Sequence, residues 1–186
     1  MKKIHVVTLK KLNSALYRVS LELDRLGIWT SDLCDVDVYL TPLHPGALVA
    51  YGWKYDGKHG CIMIPSVSLP RLSHYFGFGS YLSLAHVLRH EYAHSVADVH
   101  YRLTRCWRFR KAFGASYDSG IESSYDPEKH VSVYASTQPA EDFAELFAAY
   151  VRHQGDLPTK WSTQPIRTKW SYIRQLCVAV DRGQRT

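Results

Sequence analysis

The hydrophobic positions of this chain recur at helical spacing near both ends and alternate in a shorter segment between them. Residues 10–26 place apolar side chains every three or four positions, and Gly27 follows, so we expect a helix that ends at this glycine. Residues 36–40 alternate apolar and polar side chains before Pro42, which predicts a strand. Residues 166–180 return to helical spacing and predict a closing helix.

Two further apolar segments, residues 47–55 and 60–64, flank a short polar stretch that contains Asp56 and Gly57. An Asp-Gly pair between two apolar segments is a strong signal of a tight β-turn. The pattern therefore predicts a β-hairpin with Asp56-Gly57 at its turn.

Residues 81–99 form an apolar stretch without proline or glycine, and we expect a helix there with Ser80 or Ser83 as its N-terminal cap. This stretch carries the most informative motif of the chain, HExxH, and the motif begins at the tenth residue of the predicted helix. Its position inside a helix decides which side chains share a face.

The HExxH motif consists of His90, Glu91 and His94 with two intervening residues. Histidines four residues apart on a helix share one face, and this geometry suits two ligands of one zinc ion. The carboxylate of Glu91 lies beside that face, where it can take a proton from a water molecule on the metal. The helical setting disfavours the alternative, which is two partly buried histidines beside a surface glutamate. The motif predicts a zinc-dependent peptide hydrolase.

A catalytic zinc ion usually has three protein ligands, so the site needs one more donor. His100 matches the spacing HExxHxxGxxH, but Ala97 stands at the glycine position, where the helix must break to bring the histidine back. On an unbroken helix His100 points about 240° away from His94. No methionine follows Met63, so the methionine turn that accompanies this arrangement is also missing. We expect His100 to be a solvated or capping histidine at the helix end.

Residues 140–151 predict a second helix, which Ser136 or Thr137 can cap. Glu141 and Glu145 then share one face of that helix. One of them can bind the metal while the other accepts the N–H of a ligating histidine. The alternative is two solvated glutamates at a helix start, where the helix dipole favours negative charge. The pattern by itself does not decide which of the two glutamates binds the metal.

The two predicted helices carry a combination of motifs, HExxH and a second pattern about 40 residues later that contains a tyrosine and two glutamates. The second pattern reads Tyr134-x-Ser136-Thr137-x-x-x-Glu141-x-Phe143-Ala144-Glu145. Together they resemble the active site of the gluzincin branch of the zincin metallopeptidases. The resemblance is greatest to the catalytic domain of anthrax lethal factor and to the bacterial Pro-Pro endopeptidases.

This resemblance implies three Zn²⁺ ligands, a general base, a tyrosine that faces the reacting carbonyl and a carboxylate behind the ligands. The ligands would be His90, His94 and Glu141. Glu91 would be the base, Tyr134 the tyrosine and Glu145 the carboxylate behind the ligands. It also implies an α+β zincin-like fold, in which a small mixed sheet precedes the HExxH helix and a downstream ligand helix. By the same resemblance, residues 60–65 would run along the cleft and pair with an extended substrate.

The composition fits one globular domain over residues 1–186, with 46% hydrophobic and 22% charged residues. The apolar run after Lys2 and Lys3 is too short for a signal peptide, and no segment predicts a transmembrane helix, so we expect a cytoplasmic protein without a membrane partner. The spacing of the four cysteines indicates reduced thiols rather than disulfides or a zinc knuckle. They are Cys34, Cys61, Cys106 and Cys177. A thiol from Cys34 or Cys61 on the zinc is the less favoured alternative.

The net charge of +6 is concentrated in residues 102–111, where basic and aromatic residues interleave. Such a segment can bind nucleic acid or an acidic protein, but a solvated helix face with its aromatic side chains turned inward is the favoured interpretation. Residues 114–130 lack apolar periodicity and predict a loop near the cleft. The expected partner is a protein or peptide substrate. The rivals are a zinc-stabilised binding protein without turnover and an effector that cleaves one specific protein.

Overall fold

The computed structural model describes residues 6–41, 50–53, 60–66 and 83–184. Within them it has an α+β architecture of seven α-helices, three strands and two short 3-10 helices. The elements are α1 (Leu9–Arg25), α2 (Ser31–Cys34), β1 (Asp37–Thr41), β2 (Ala50–Trp53), β3 (Gly60–Pro65), α3 (Leu84–Val99), α4 (Tyr101–Thr104), α5 (Trp107–Phe113), the 3-10 helix Tyr134–Ser136, α6 (Pro139–Arg152), the 3-10 helix Thr159–Trp161 and α7 (Gln164–Gln184).

Helix α1 begins and ends as its sequence predicts. The Thr8 side chain caps its start by accepting a hydrogen bond from the Lys11 backbone N–H. Gly27 follows the helix with a φ of +69°, a left-handed conformation that glycine adopts without strain. A Cβ atom at this position would lie 2.9 Å from Asp181, so the close approach also requires glycine. The predicted helix and its glycine stop are confirmed.

The sheet has the strand order β1-β3-β2, with β1 parallel and β2 antiparallel to β3. The pairing of Trp53 with Gly60 confirms the predicted hairpin, and its Asp56-Gly57 turn lies outside the described residues. β3 is the central strand. β1 pairs with one side of it along residues 61–65, and β2 pairs with the other side along residues 60–63. The prediction that residues 60–65 pair with a substrate is wrong for residues 60–63, because the neighbouring strands of the sheet already use their backbone groups.

Helix α3 lies in the middle of the protein and packs against α1, α6 and the sheet. Its side chains are therefore buried on nearly all sides, as expected for a helix without a solvent face. Arg89 on α3 forms a two-pronged ion pair with Glu22 on α1, with N–O distances of 2.7 and 2.8 Å. These contacts fix the position of the helix that carries HExxH.

Helix α6 packs along α3 and buries Phe143 and Phe147 completely. It begins with Pro139 in its first turn, after Gln138, which makes no side-chain cap. The prediction that Ser136 or Thr137 caps this helix is wrong. Both residues belong to the preceding turn, where the Thr137 hydroxyl donates to the Tyr134 carbonyl at 2.8 Å.

The basic segment forms helices α4 and α5, and its aromatic side chains point in different directions. Phe109 is fully buried, but Trp107 is 65% exposed, so the expectation that the aromatic residues turn inward holds only in part. The predicted closing helix is confirmed as α7. Within the described part of the chain, no helix is both long and apolar enough to cross a bilayer. All four cysteines are free thiols.

Candidate metal centre

Helix α3 aligns the two histidines of HExxH. Its start is capped by the Ser83 side chain, which accepts a hydrogen bond from the His86 backbone N–H at 3.1 Å. The helix continues without a break through Ala97 to Val99. This regular geometry brings the Nε2 atoms of His90 and His94 to 3.3 Å of each other.

Helix α6 brings a carboxylate to the same point. Oε2 of Glu141 lies 3.1 Å from His90 Nε2 and 3.6 Å from His94 Nε2. Zinc binds imidazole nitrogen at about 2.0–2.1 Å, so the ligands of a tetrahedral ion lie about 3.3 Å apart. The three measured separations, 3.1, 3.3 and 3.6 Å, lie close to this value. His90, His94 and Glu141 therefore form a group that can hold a zinc ion.

In neutral His90, the nitrogen that faces Glu141 and His94 carries a lone pair. Its Nδ1 lies 2.8 Å from Oε1 of Glu145, and because a carboxylate only accepts, Nδ1 carries the hydrogen. In the neutral ring Nε2 is then unprotonated and faces Glu141. Oε2 of Glu141 is buried, and no hydrogen bond from the described residues satisfies it. Lone pairs that converge in this way repel each other unless a proton or a metal ion lies between them.

The charges around His90 also favour a cation. Burial lowers the pKa of His90, but Glu141 and Glu145 outweigh burial and raise the pKa to about 10. Burial raises the pKa of Glu141, but the two histidines that face it lower the pKa well below its usual range. This electrostatic balance stabilises positive charge at the point where the donor atoms meet, whether a proton or a metal ion carries it.

Glu145 is held behind the donor atoms by several contacts. Its side chain is only 3% exposed and lies 3.3 Å from Nε2 of His86, as well as contacting His90. The Ser132 hydroxyl donates to its second oxygen at 2.9 Å. Sequence reasoning missed His86 and Ser132. The spacing of His86, one helical turn before His90, was an available signal, whereas Ser132 lies in an irregular segment that carries no pattern.

His94 has a different partner. Its Nδ1 lies 2.8 Å from the hydroxyl of Tyr117, which belongs to the segment between α5 and α6 that the sequence predicts as a loop. The Tyr117 side chain is 6% exposed. Sequence reasoning assigned this tyrosine no role, because one tyrosine in an irregular segment gives no periodic signal.

Glu91 follows His90 on α3, and the ring of Tyr134 lies near that of His90. Glu91 is buried in α3 at 3% exposure, and the Tyr134 ring centroid is 5.8 Å from that of His90. Burial first, then the negative charges of Glu141, Glu91 and Glu145, raise the pKa of Tyr134 above its usual value. The Tyr134 hydroxyl therefore keeps its proton and is a hydrogen-bond donor at neutral pH.

His100 lies outside the group that can hold a metal ion, as predicted. It follows the last residue of α3 as the C-terminal cap residue, which the sequence also predicts. Its Nε2 atom is buried although the residue is partly exposed, so it is not a fully solvated histidine. Among the described residues, no cysteine belongs to the group that can hold a metal ion.

Comparison with known proteins adds one finding. The model of a protein family described as "Putative zinc-binding metallo-peptidase" matches residues 79–175, just over half of the chain. The matched region includes α3, α6 and the segment between them. Searches of curated proteins and of solved structures found no match.

Proposed function

Since the chain belongs to this family of zinc-binding metallo-peptidases, we propose that it is an endopeptidase in which His90, His94 and Glu141 hold one zinc ion. The observation that carries the proposal is the convergence of two imidazole nitrogens and one carboxylate oxygen at 3.1 to 3.6 Å. A bound zinc ion supplies a Lewis acid that polarises the scissile carbonyl and lowers the pKa of water.

Glu91 is the proposed general base. It takes a proton from the attacking water and passes that proton to the leaving amine, so one carboxylate serves both halves of the reaction. Its place next to His90 on α3 and its burial support this role. A carboxylate in such surroundings is the usual partner of an HExxH ligand pair.

Tyr134 is the proposed donor to the oxyanion. Its hydroxyl stays protonated at neutral pH because burial and three carboxylates raise its pKa. A donor of this kind acts most strongly in the transition state, where the carbonyl oxygen gains negative charge. Glu145 accepts the Nδ1–H of His90 and thereby keeps the Nε2 lone pair directed at the metal.

A closer kinship with the gluzincins, including the lethal factor catalytic domain and the Pro-Pro endopeptidases, is part of the proposal. The position of Tyr134, seven residues before Glu141, and the paired glutamates of α6 support it. A zincin-like fold is the matching structural proposal. One domain over residues 1–186 and cytoplasmic location stay predictions, and nucleic-acid binding by residues 102–111 stays the less favoured alternative.

The test combines zinc analysis with incubation of the protein with a diverse peptide library, read by mass spectrometry. We expect one zinc ion per chain and cleavage at internal peptide bonds. Glu91→Gln should keep the zinc and lose cleavage by about 10²–10⁴-fold, the usual contribution of a general base. Glu122→Gln, a change at an exposed glutamate, is the matched control and should behave as the wild type.

The same experiment separates the second candidate function. A zinc-stabilised binding protein would contain stoichiometric zinc and leave every peptide intact. Retained hydrolysis in Glu91→Gln would contradict the role of this residue, and absence of zinc would contradict the metal site itself.

A further inference from the structure

We infer that Tyr117 is a positioning residue for the metal centre: its phenol oxygen accepts a hydrogen bond from Nδ1 of His94 and fixes the orientation of that ligand. The inference rests on the proposed function, because it takes His94 as a zinc ligand through Nε2. Among the residues assigned to the site from the sequence, none contacts Nδ1 of His94 in the part of the chain described.

The direction of this hydrogen bond follows from the other side of the ring. Nε2 of His94 faces Nε2 of His90 and Oε2 of Glu141, so it must offer a lone pair to bind a metal there. A neutral imidazole has one N–H, which then lies on Nδ1. At 2.8 Å, the Tyr117 oxygen is the acceptor of that N–H. If Tyr117 donated instead, Nε2 would carry the hydrogen and could not bind.

Tyr117 is held firmly enough to orient a ligand. Its ring makes edge contacts with Phe109 and Phe143, with centroid distances of 5.6 and 6.0 Å. On another side the guanidinium of Arg105 lies 4.4 Å from the ring centroid. The phenol is thus fixed against the core, although its backbone belongs to an irregular segment.

Arg105 ties this arrangement back to the helix that carries His94. One of its nitrogens donates to the Ala97 carbonyl at the end of α3, and another contacts Asp98 at 3.0 Å. It also pairs with Asp118, the residue that follows Tyr117, at 2.9 Å. The arginine therefore connects the last turns of α3 to the segment that supplies the phenol.

The chain offers a matched control for a hydroxyl deletion. Tyr172 packs on Phe109 and Phe113 in the same aromatic cluster, is 8% exposed and donates its hydroxyl to the Leu103 carbonyl. Tyr117→Phe and Tyr172→Phe both remove one buried hydroxyl from this cluster. Only the first removes a contact to a proposed zinc ligand.

The experiment measures zinc affinity of the full chain by competition with a chelator of known affinity, together with thermal unfolding of the metal-free proteins. We expect Tyr117→Phe to lower zinc affinity about 10–100-fold, the usual effect of losing the hydrogen-bond partner of a ligating histidine. Tyr172→Phe should stay within about twofold of the wild type, since it loses no such partner. Wild-type affinity in Tyr117→Phe, or an equal loss in both variants, would overturn the inference.

A second measurement does not depend on the variants folding. In zinc-loaded wild-type protein with ¹⁵N-labelled histidine, NMR should show a slowly exchanging Nδ1–H on His94; an unprotonated Nδ1 would overturn the inference. Failure of the proposed function is distinguishable from these outcomes. If the wild type bound no zinc, the metal site would be wrong, whereas zinc binding unaffected by Tyr117→Phe would remove only the role of the phenol.

Discussion

The helix pair α3 and α6 and the connection between α5 and α6, residues 114–138, both border the candidate metal position, but they contribute different groups. The helices carry the three candidate ligands and the proposed base, all at fixed positions on regular backbone. The connection carries Tyr117, whose hydroxyl contacts the candidate ligand His94, Ser132, whose hydroxyl contacts Glu145, and Tyr134, whose ring centroid lies 5.8 Å from that of His90.

This difference separates two tasks. The candidate ligand atoms must meet within a few tenths of an ångström, and they lie on the two rigid helices. The connection supplies hydroxyl groups that hold their side chains in orientation. The two histidines show both cases side by side. His90, with a side chain 5% exposed, is supported by a buried carboxylate on α6, whereas His94, at 17%, is supported by a phenol from the connection. Changes in the two regions should therefore differ in size and in kind.

The largest expected effect comes from removing a ligand on the helix pair. Glu141→Ala should lose stoichiometric zinc on dialysis and all hydrolysis, because two histidines alone leave the site one donor short. Zinc content by atomic spectroscopy measures this, with Glu122→Ala as the exposed control. Full zinc retention in Glu141→Ala would show that the ligand helix has been assigned the wrong role.

The next effect tests whether the connection contributes to chemistry. Tyr134→Phe should lower kcat by about 10²–10³-fold, equivalent to roughly 3–4 kcal/mol, and leave zinc affinity unchanged. Steady-state kinetics on a cleaved peptide, together with zinc competition, would separate the two properties. A drop in zinc affinity with kcat preserved would place Tyr134 among the orienting groups instead.

Weakening the hydrogen bond between His90 and Glu145 should lower zinc affinity at least as much as removing the hydrogen bond between His94 and Tyr117. Glu145→Gln replaces an ionised acceptor by a neutral one, and hydrogen bonds to ionised groups are about twice as strong as neutral ones. We expect zinc affinity to fall about 10–100-fold, at least as far as in Tyr117→Phe. Chelator competition on both variants makes the comparison, and a larger loss in Tyr117→Phe would reverse the proposed ranking.

The smallest expected effect concerns the hydroxyl that holds Glu145. Ser132→Ala removes a donor to Oε2 of Glu145, and a hydrogen bond to an ionised carboxylate contributes about 1.5–3 kcal/mol to stability. Because the hydroxyl acts on the metal only through Glu145, we expect zinc affinity to fall by less than about 10-fold. The exposed Ser124→Ala is the matched control. An effect as large as that of Glu145→Gln would mean that Ser132 does more than hold the carboxylate.

The sequence predicted the helix pair better than the connection for a physical reason. His90, His94, Glu141 and Glu145 are linked by helical periodicity, so their shared faces follow from spacing alone. Tyr117 and Ser132 reach the site through irregular backbone, and no local pattern encodes such a path. The resemblance to a known family was needed to single out Tyr134 and to choose Glu141 over Glu145.

The fold shows the same limit. Helix α1, strand β1 and the closing helix follow from local periodicity and local stop signals. The central place of β3 does not, because its pairing with β1 joins residues more than twenty positions apart. The start of α6 also differs from the prediction, since Ser136 and Thr137 use their hydroxyls within the preceding turn instead of capping the helix.

One zinc ion bound by His90, His94 and Glu141 underlies every role proposed for the surrounding residues. The most direct test is the X-ray absorption spectrum of the zinc-loaded protein at the zinc K-edge. The spectrum should show only nitrogen and oxygen neighbours at about 2.0–2.2 Å, with outer-shell scattering from two imidazole rings. A sulfur neighbour at about 2.3 Å, as Cys34 or Cys61 would give, or scattering from a third imidazole such as that of His100, would contradict this ligand set.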